Sequence, residues 1–249
     1  TVLGDQIEGW GGGWLAQRKL FSQSGVWDFA GSTVVHVVGG CAGLVGTMKL
    51  GPRLGKYEEN EEEFVPMPGH NLSLATLGCL ILWLGWFGFN PGSTLTATPA
   101  SISHIILTTN MAAAAGGIAA TLTSWKRLGY PDLSFIINGI LAGLVSITAS
   151  CAFVNLICAM VIGFIAGVIV VFSALYIEWL KIDDPVGAVS VHLICGIWGT
   201  LAVGLFSTGP DVYSWYGTGL GPEKGLLLGG NIYPTFIQLI GCLSVLVFT

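Results

Sequence analysis

Charge is what this chain lacks. Only 9% of its 249 residues are Asp, Glu, Lys or Arg, against roughly 25% in ordinary soluble domains. Lys and Arg number nine against 14 Asp and Glu, a formal net charge of -5. That balance excludes nucleic acid as a partner, because phosphate binding needs clustered cations. The six cysteines, Cys41, Cys79, Cys151, Cys158, Cys195 and Cys242, lie in or beside apolar stretches without CxxC spacing. They read as small buried hydrophobes rather than disulfides or metal ligands. There is no HExxH or comparable ligand spacing, so an intramembrane metalloenzyme using His36, His192 and Asp184 has no support, and neither metal nor cofactor is expected. No initiator Met and no signal peptide open the chain. Thr1 begins in a polar loop and the last apolar run stops abruptly at Thr249, so both ends read as cut from something longer.

What is there is apolar and small. Hydrophobic residues make up 53% of the chain, with 37 glycines, a composition suited to membrane helices whose backbones approach closely. A spanning helix needs about 20 mainly apolar residues. Seven stretches qualify: Phe29–Leu50, Leu72–Phe89, Ser101–Trp125, Leu133–Ser150, Asn155–Leu180, Val186–Phe206 and Leu226–Thr249. The expected fold is all-α, a polytopic bundle of seven transmembrane helices. Lys49, Arg53, Lys56, Lys126, Arg127 and Lys181 flank the loops after spans one, three and five, which assigns that side to the cytoplasm. Arg18 and Lys19 are exceptions. Residues 1–28 are then extracytoplasmic, in a multi-pass protein of the cell membrane in contact with lipid. The acidic stretch Glu58–Glu63 falls in the first cytoplasmic loop and reads as a solvated surface. Trp14, Trp27, Trp125, Trp179 and Trp215 fall near span ends, as in an interfacial belt.

Two segments 156 residues apart share one pattern: Asp, seven residues, His, three residues, Gly, two residues, Gly. The copies are Asp28, His36, Gly40, Gly43 and Asp184, His192, Gly196, Gly199. An imidazole at membrane depth is costly without a partner or a polar path. Two at matching places most simply become each other's partners. Asp28 stands where a carboxylate caps the N–H groups opening span one. Asp183 and Asp184, followed by Pro185, are expected to cap span six in the same way. Gly39, Gly40, Gly43, Gly116, Gly117, Gly196 and Gly199 read as close-packing surfaces, and Asn110 and Asn138 as amides that bond neighbouring helices. His70 and His104 read as interfacial.

Four motifs, in order, make the chain recognisable: Trp10-Gly-Gly-Gly-Trp14, Asp28-Phe-Ala-Gly-Ser-Thr-Val-Val-His36, Gly85-Trp-Phe-Gly-Phe-Asn-Pro-Gly-Ser93, and Asp183-Asp-Pro185 with Val191-His192. Together they resemble the ammonium transporter (Amt/Mep/Rh) family, and the Trp10 segment resembles its Amt/Mep branch. The resemblance runs over essentially all of residues 1–249, taken as one partial transporter domain. It implies an eleven-helix fold of two inverted five-helix repeats plus a last helix. Spans one to seven then resemble the fifth to eleventh family helices, with the first four helices and the C-terminal tail missing. Thr148 resembles the start of a Thr-Pro-Ala turn, with Ala149 in place of the proline.

By this resemblance the chain passes ammonium or ammonia through the membrane, as a homotrimer with one pore per subunit. Trp10 and Ser93 form an outer recruitment site, Trp10 by a cation–π face and Ser93 by a hydrogen bond; on residue type alone an interfacial anchor is the plainer reading of Trp10. Phe89 matches a gating phenyl ring, although core packing is the plainer reading of Trp-Phe-Gly-Phe. Trp86, three residues earlier, shares its helix face and shapes the pore wall. His36 and His192 line the pathway, either holding ammonia or relaying a proton. Asp28 supports the recruitment site from behind, and Asp184 is structural. The missing tail is where a cytoplasmic regulatory protein engages the family. The competing class is an ammonium-sensing receptor with a signalling output beyond Thr249.

Overall fold

The structure, a computed structural model, describes residues 25–57, 67–97, 99–213 and 221–249. Seven helices fall where the seven apolar stretches predict them, with no strand among the described residues. They are α1 (Ser32–Leu50), α2 (Leu72–Gly92), α3 (Pro99–Leu128), α4 (Leu133–Ile147), α5 (Leu156–Trp179), α6 (Val189–Phe206) and α7 (Tyr233–Phe248). Side-chain oxygens start most of them. Asn71 Oδ1 accepts from the Leu74 amide opening α2, Asp132 Oδ1 from Phe135 opening α4, and Asn155 Oδ1 from Cys158 opening α5. Each satisfies an N–H that a helix start leaves without an intrahelical partner.

Five helices are long and apolar enough to cross a membrane, whereas α4 and α7 are shorter apolar helices of 15 and 16 residues. Both differ from the longer spans read in the sequence. The chain leaves α4 after Ile147 because Thr148 and Ala149 turn their carbonyls to the Ala30 and Phe29 amides, each at 3.1 Å. Ahead of α7, residues Leu226–Leu228 form one 3-10 turn instead of a continuous helix.

Helices α3, α4 and α5 pack into one tight unit. A Cβ added to Gly143 or Gly163 would collide with the Ala112 carbonyl, so backbone lies on backbone at these crossings. Ile105, Ile147, Ile162 and Val154 fill the core beside them. The outer face is apolar too: Leu74, Leu77, Leu80, Ile81 and Leu84 of α2 are exposed. A water-soluble bundle does the reverse.

At the end of the bundle carrying Lys49 and Lys181, Arg53 grips Asp183 three times. Its amide and Nε donate to Oδ2 at 2.9 and 2.7 Å, and Nη2 donates to Oδ1 at 2.8 Å. Lys56 pairs with Glu178 alongside. The Arg53 hydrogen bonds hold the Asp183 carboxyl below its ordinary pKa, against the opposing effect of burial. Asp183 therefore does not cap α6, contrary to the sequence expectation. An arginine fork matches a carboxylate better than helix amides do, and Asp184 takes the cap alone.

Candidate functional site

The two copies of the Asp–His pattern build the same local structure. Asp28 Oδ2 accepts from the amides of Thr33 and Val34 at 2.9 and 3.0 Å. Asp184 accepts from Ala188 at 2.9 Å through Oδ1 and from Val189 at 2.8 Å through Oδ2. Behind each cap the helix begins with a widened π turn, Ser32–Val37 in α1 and Val189–Ile194 in α6, before tightening to α-helix. His36 donates its amide to the Gly31 carbonyl five residues back. Gly31 has φ +109, and a Cβ there would press on Val35, so only glycine opens this turn comfortably. Such π turns concentrate at functional sites, and here each carries one histidine of the pair.

The crossing is reciprocal. A Cβ on Gly40 would lie 2.7 Å from the Leu193 Cα, and one on Gly196 would lie 2.8 Å from the Ser32 carbonyl oxygen. The first glycine of each copy thus packs on the other copy's π turn. Gly39 and Gly43 do not behave as expected: among the described residues nothing lies within 4 Å of a Cβ placed on either.

This contact brings the imidazoles together. His192 Nδ1 lies 3.2 Å from His36 Nδ1, with ring centroids 5.1 Å apart and planes at 21°. One Nδ1 must donate and the other accept, so the tautomers are complementary. The two Nε2 atoms then differ, one carrying a proton and the other a lone pair. His36 Nε2 is buried without a protein partner. Trp86 stacks on His36 at 5.4 Å and 18°, and Phe89 at 5.7 Å and 28°. Trp86 and Phe89 share one helix face, with centroids 5.4 Å apart. The outcome is a cluster of stacked rings with one polar edge.

Thr148 anchors the Trp86 side of this cluster. Trp86 Nε1 donates to Thr148 Oγ1 at 3.1 Å, and that hydroxyl donates to the Leu144 carbonyl at 2.7 Å. The sequence pointed to Thr148 only as part of a turn. Ser93 is half-buried and donates its hydroxyl to the Phe89 carbonyl at 2.9 Å, which leaves the oxygen able to accept. Trp10 lies outside the described residues. His104 is half-buried, with Nε2 3.0 Å from the Val154 carbonyl and its ring 4.2 Å from Tyr213, and His70 is exposed. Among the described residues two side-chain amides bond between helices: Asn90 donates to Thr109 Oγ1 at 3.0 Å and Gln238 Nε2 to the Thr200 carbonyl at 3.2 Å; Asn138 lies against Gly187. Asn90 sat inside a motif without being singled out. Ser32 and Thr33, like Asn90, sat inside a motif without being singled out; Thr200 and Gln238, also buried around the crossing, carried no sequence signal beyond being polar within apolar runs.

The fold and site together define a polytopic helical membrane protein with an aromatic-walled imidazole pair in its interior. The Ammonium Transporter Family profile matches residues 7–249. The chain is 47% identical to ammonium transporter Amt2 of Archaeoglobus fulgidus over 238 residues, covering 94% of this chain and 50% of that one. It is 36% identical to ammonium transporter 3 of Dictyostelium discoideum, covering 92% and 53%. Among solved structures, a sensor Amt protein superposes with a TM-score of 0.80 at 36% identity, covering 91% of this chain and 54% of that one. Saccharomyces cerevisiae Mep2 superposes with a TM-score of 0.80 at 31% identity, covering 90% and 49%. The chain belongs to the ammonium transporter family. It spans about half the length of the curated relatives it matches.

Proposed function

We propose that this chain forms the histidine-bearing half of a membrane passage for ammonium nitrogen, within one partial transporter domain covering residues 1–249. The observation that carries the reading is the Nδ1–Nδ1 contact of 3.2 Å between His36 and His192, walled by Trp86 and Phe89. A dehydrated ammonium ion is costly in such surroundings, and neutral ammonia far less so. A dry site also favours loss of the proton. Recruitment falls to Trp10 and Ser93 at the extracytoplasmic mouth, with Phe89 as the gate and Trp86 as pore wall. The imidazole pair then offers ammonia one donor and one acceptor edge. Asp28 and Asp184 hold the two π turns and so set where the rings sit. The working protein is a homotrimer in the cell membrane, with residues 1–28 outside and a C-terminal tail open to a cytoplasmic regulatory protein.

The test is uptake of methylammonium by cells lacking their own ammonium transport, expressing the full-length protein that carries this segment. His36→Ala and His192→Ala are expected to abolish or strongly reduce uptake per folded molecule. Wild-type uptake by both variants would remove the histidine pair from the mechanism. A second reading, a receptor that senses ammonium, draws on the similarity to the sensor Amt protein. Sequence beyond Thr249 separates the two: a short tail favours transport, and a long signalling domain favours sensing.

A further inference from the structure

Ser32 is fully buried at the mouth of the first π turn, and its hydroxyl joins two helices. It donates to the Val145 carbonyl of α4 at 2.8 Å and accepts the Ala149 amide at 2.9 Å. Ala149 has an N–H to give only because it is not proline. Beside this contact, Phe29 and Ala30 donate their amides to Ala149 and Thr148. Four hydrogen bonds therefore fasten the start of α1 to the end of α4. Room for the hydroxyl comes from Gly199, where a Cβ would lie 2.8 Å from Ser32 Oγ. At the equivalent position of the second repeat stands Ala188, which has no hydroxyl. The fastening is thus peculiar to the His36 side of the pair.

Its position links the two rings of one stack, Trp86 and His36. Thr148, inside the fastened turn, receives the Trp86 indole N–H, and the Trp86 ring lies against His36 four residues after Ser32. Both partners of the stack hang from the segment that Ser32 ties together. We propose that Ser32, through the Ala149 amide, is a positioning residue that fixes the Trp86 indole against the His36 imidazole. The proposal rests on the transport reading above, with Ser32 touching no substrate. Without the hydroxyl the buried Ala149 N–H has no acceptor. The 148–149 turn then shifts toward another one and carries the Thr148 anchor with it.

The experiment measures methylammonium uptake per folded molecule for the full-length protein in liposomes. Ser32→Ala is expected to lower turnover about tenfold, the effect of one buried hydrogen bond left unmade. KM is expected to stay within about twofold, since substrate recruitment is untouched. Trp86→Phe replaces the indole by a smaller aromatic ring without the N–H and so cuts the link to Thr148, and Ser32→Ala is expected to add little in that background. Ser32→Cys, with a weaker donor and acceptor of similar size, is expected to fall between Ser and Ala. Should Ser32→Ala fail to fold, the Cys variant carries the comparison. Wild-type turnover by whichever variant folds, in a protein that His36→Ala inactivates, overturns the proposal. So does full multiplication of the Ser32 and Trp86 effects. A wild-type protein that moves no methylammonium instead overturns the transport reading.

Discussion

Gly40→Ala tests whether the histidine contact depends on backbone touching backbone. The new methyl carbon would sit 2.7 Å from both Cα and Cβ of Leu193, closer still to its amide nitrogen, where ordinary contact needs 3.4–4 Å. Neither helix can yield by turning a side chain, so α1 and α6 must separate by about 1 Å at the crossing. Overpacking of this kind costs about 1–3 kcal/mol. The Nδ1–Nδ1 distance starts at 3.2 Å, and an increase of that size takes it beyond hydrogen-bonding range. Gly40→Ala is therefore expected to lower the thermal unfolding temperature in detergent and to reduce methylammonium uptake by the full-length protein. Adding Leu193→Ala is expected to restore neither, because the collision with the Leu193 backbone remains. Wild-type stability together with wild-type uptake in Gly40→Ala would refute the reasoning, and rescue by Leu193→Ala would place the obstruction in a side chain instead.

Other outcomes follow from the surroundings of the pair. Asp184→Ala strips the acceptor from two α6 amides and is expected to destabilise by about 1–2 kcal/mol; Asp184→Asn, which keeps one acceptor oxygen, should recover part of that in thermal unfolding. The Asp183 carboxyl sits below its ordinary value of 3.8 because Arg53 binds its charged form. Its contribution to stability is complete above that value and is lost as pH falls through the lower native one. The stability gap between wild type and Asp183→Asn is thus expected to hold from neutral pH and to close only below 3.8; closure above about pH 5 contradicts the assignment. Cys151 and Cys195, both fully buried, are expected to resist maleimide in the native protein and to react on unfolding. Labelling at the rate of an exposed thiol counts against the packing around them.

The sequence by itself determined the class of protein, the seven helical segments and the partnership of His36 with His192. Those follow from composition, from the length of apolar runs and from a repeat whose spacing survives in one dimension. Trp86 and Phe89 on one helix face, and an aspartate ahead of each histidine helix, were legible for the same reason: they are local. Helix lengths were less so, because α4 stops where its carbonyls find Phe29 and Ala30, more than a hundred residues earlier. Only the tertiary structure decided that Asp183 turns to Arg53, that Gly40 is tight while Gly39 is open, that Thr148 receives the Trp86 indole and that Ser32 receives the Ala149 amide. Each of those depends on what a residue meets across space. Spacing along a chain determines which face of a helix a side chain occupies; the neighbouring helix decides whether that face meets backbone, a charge or a hydroxyl.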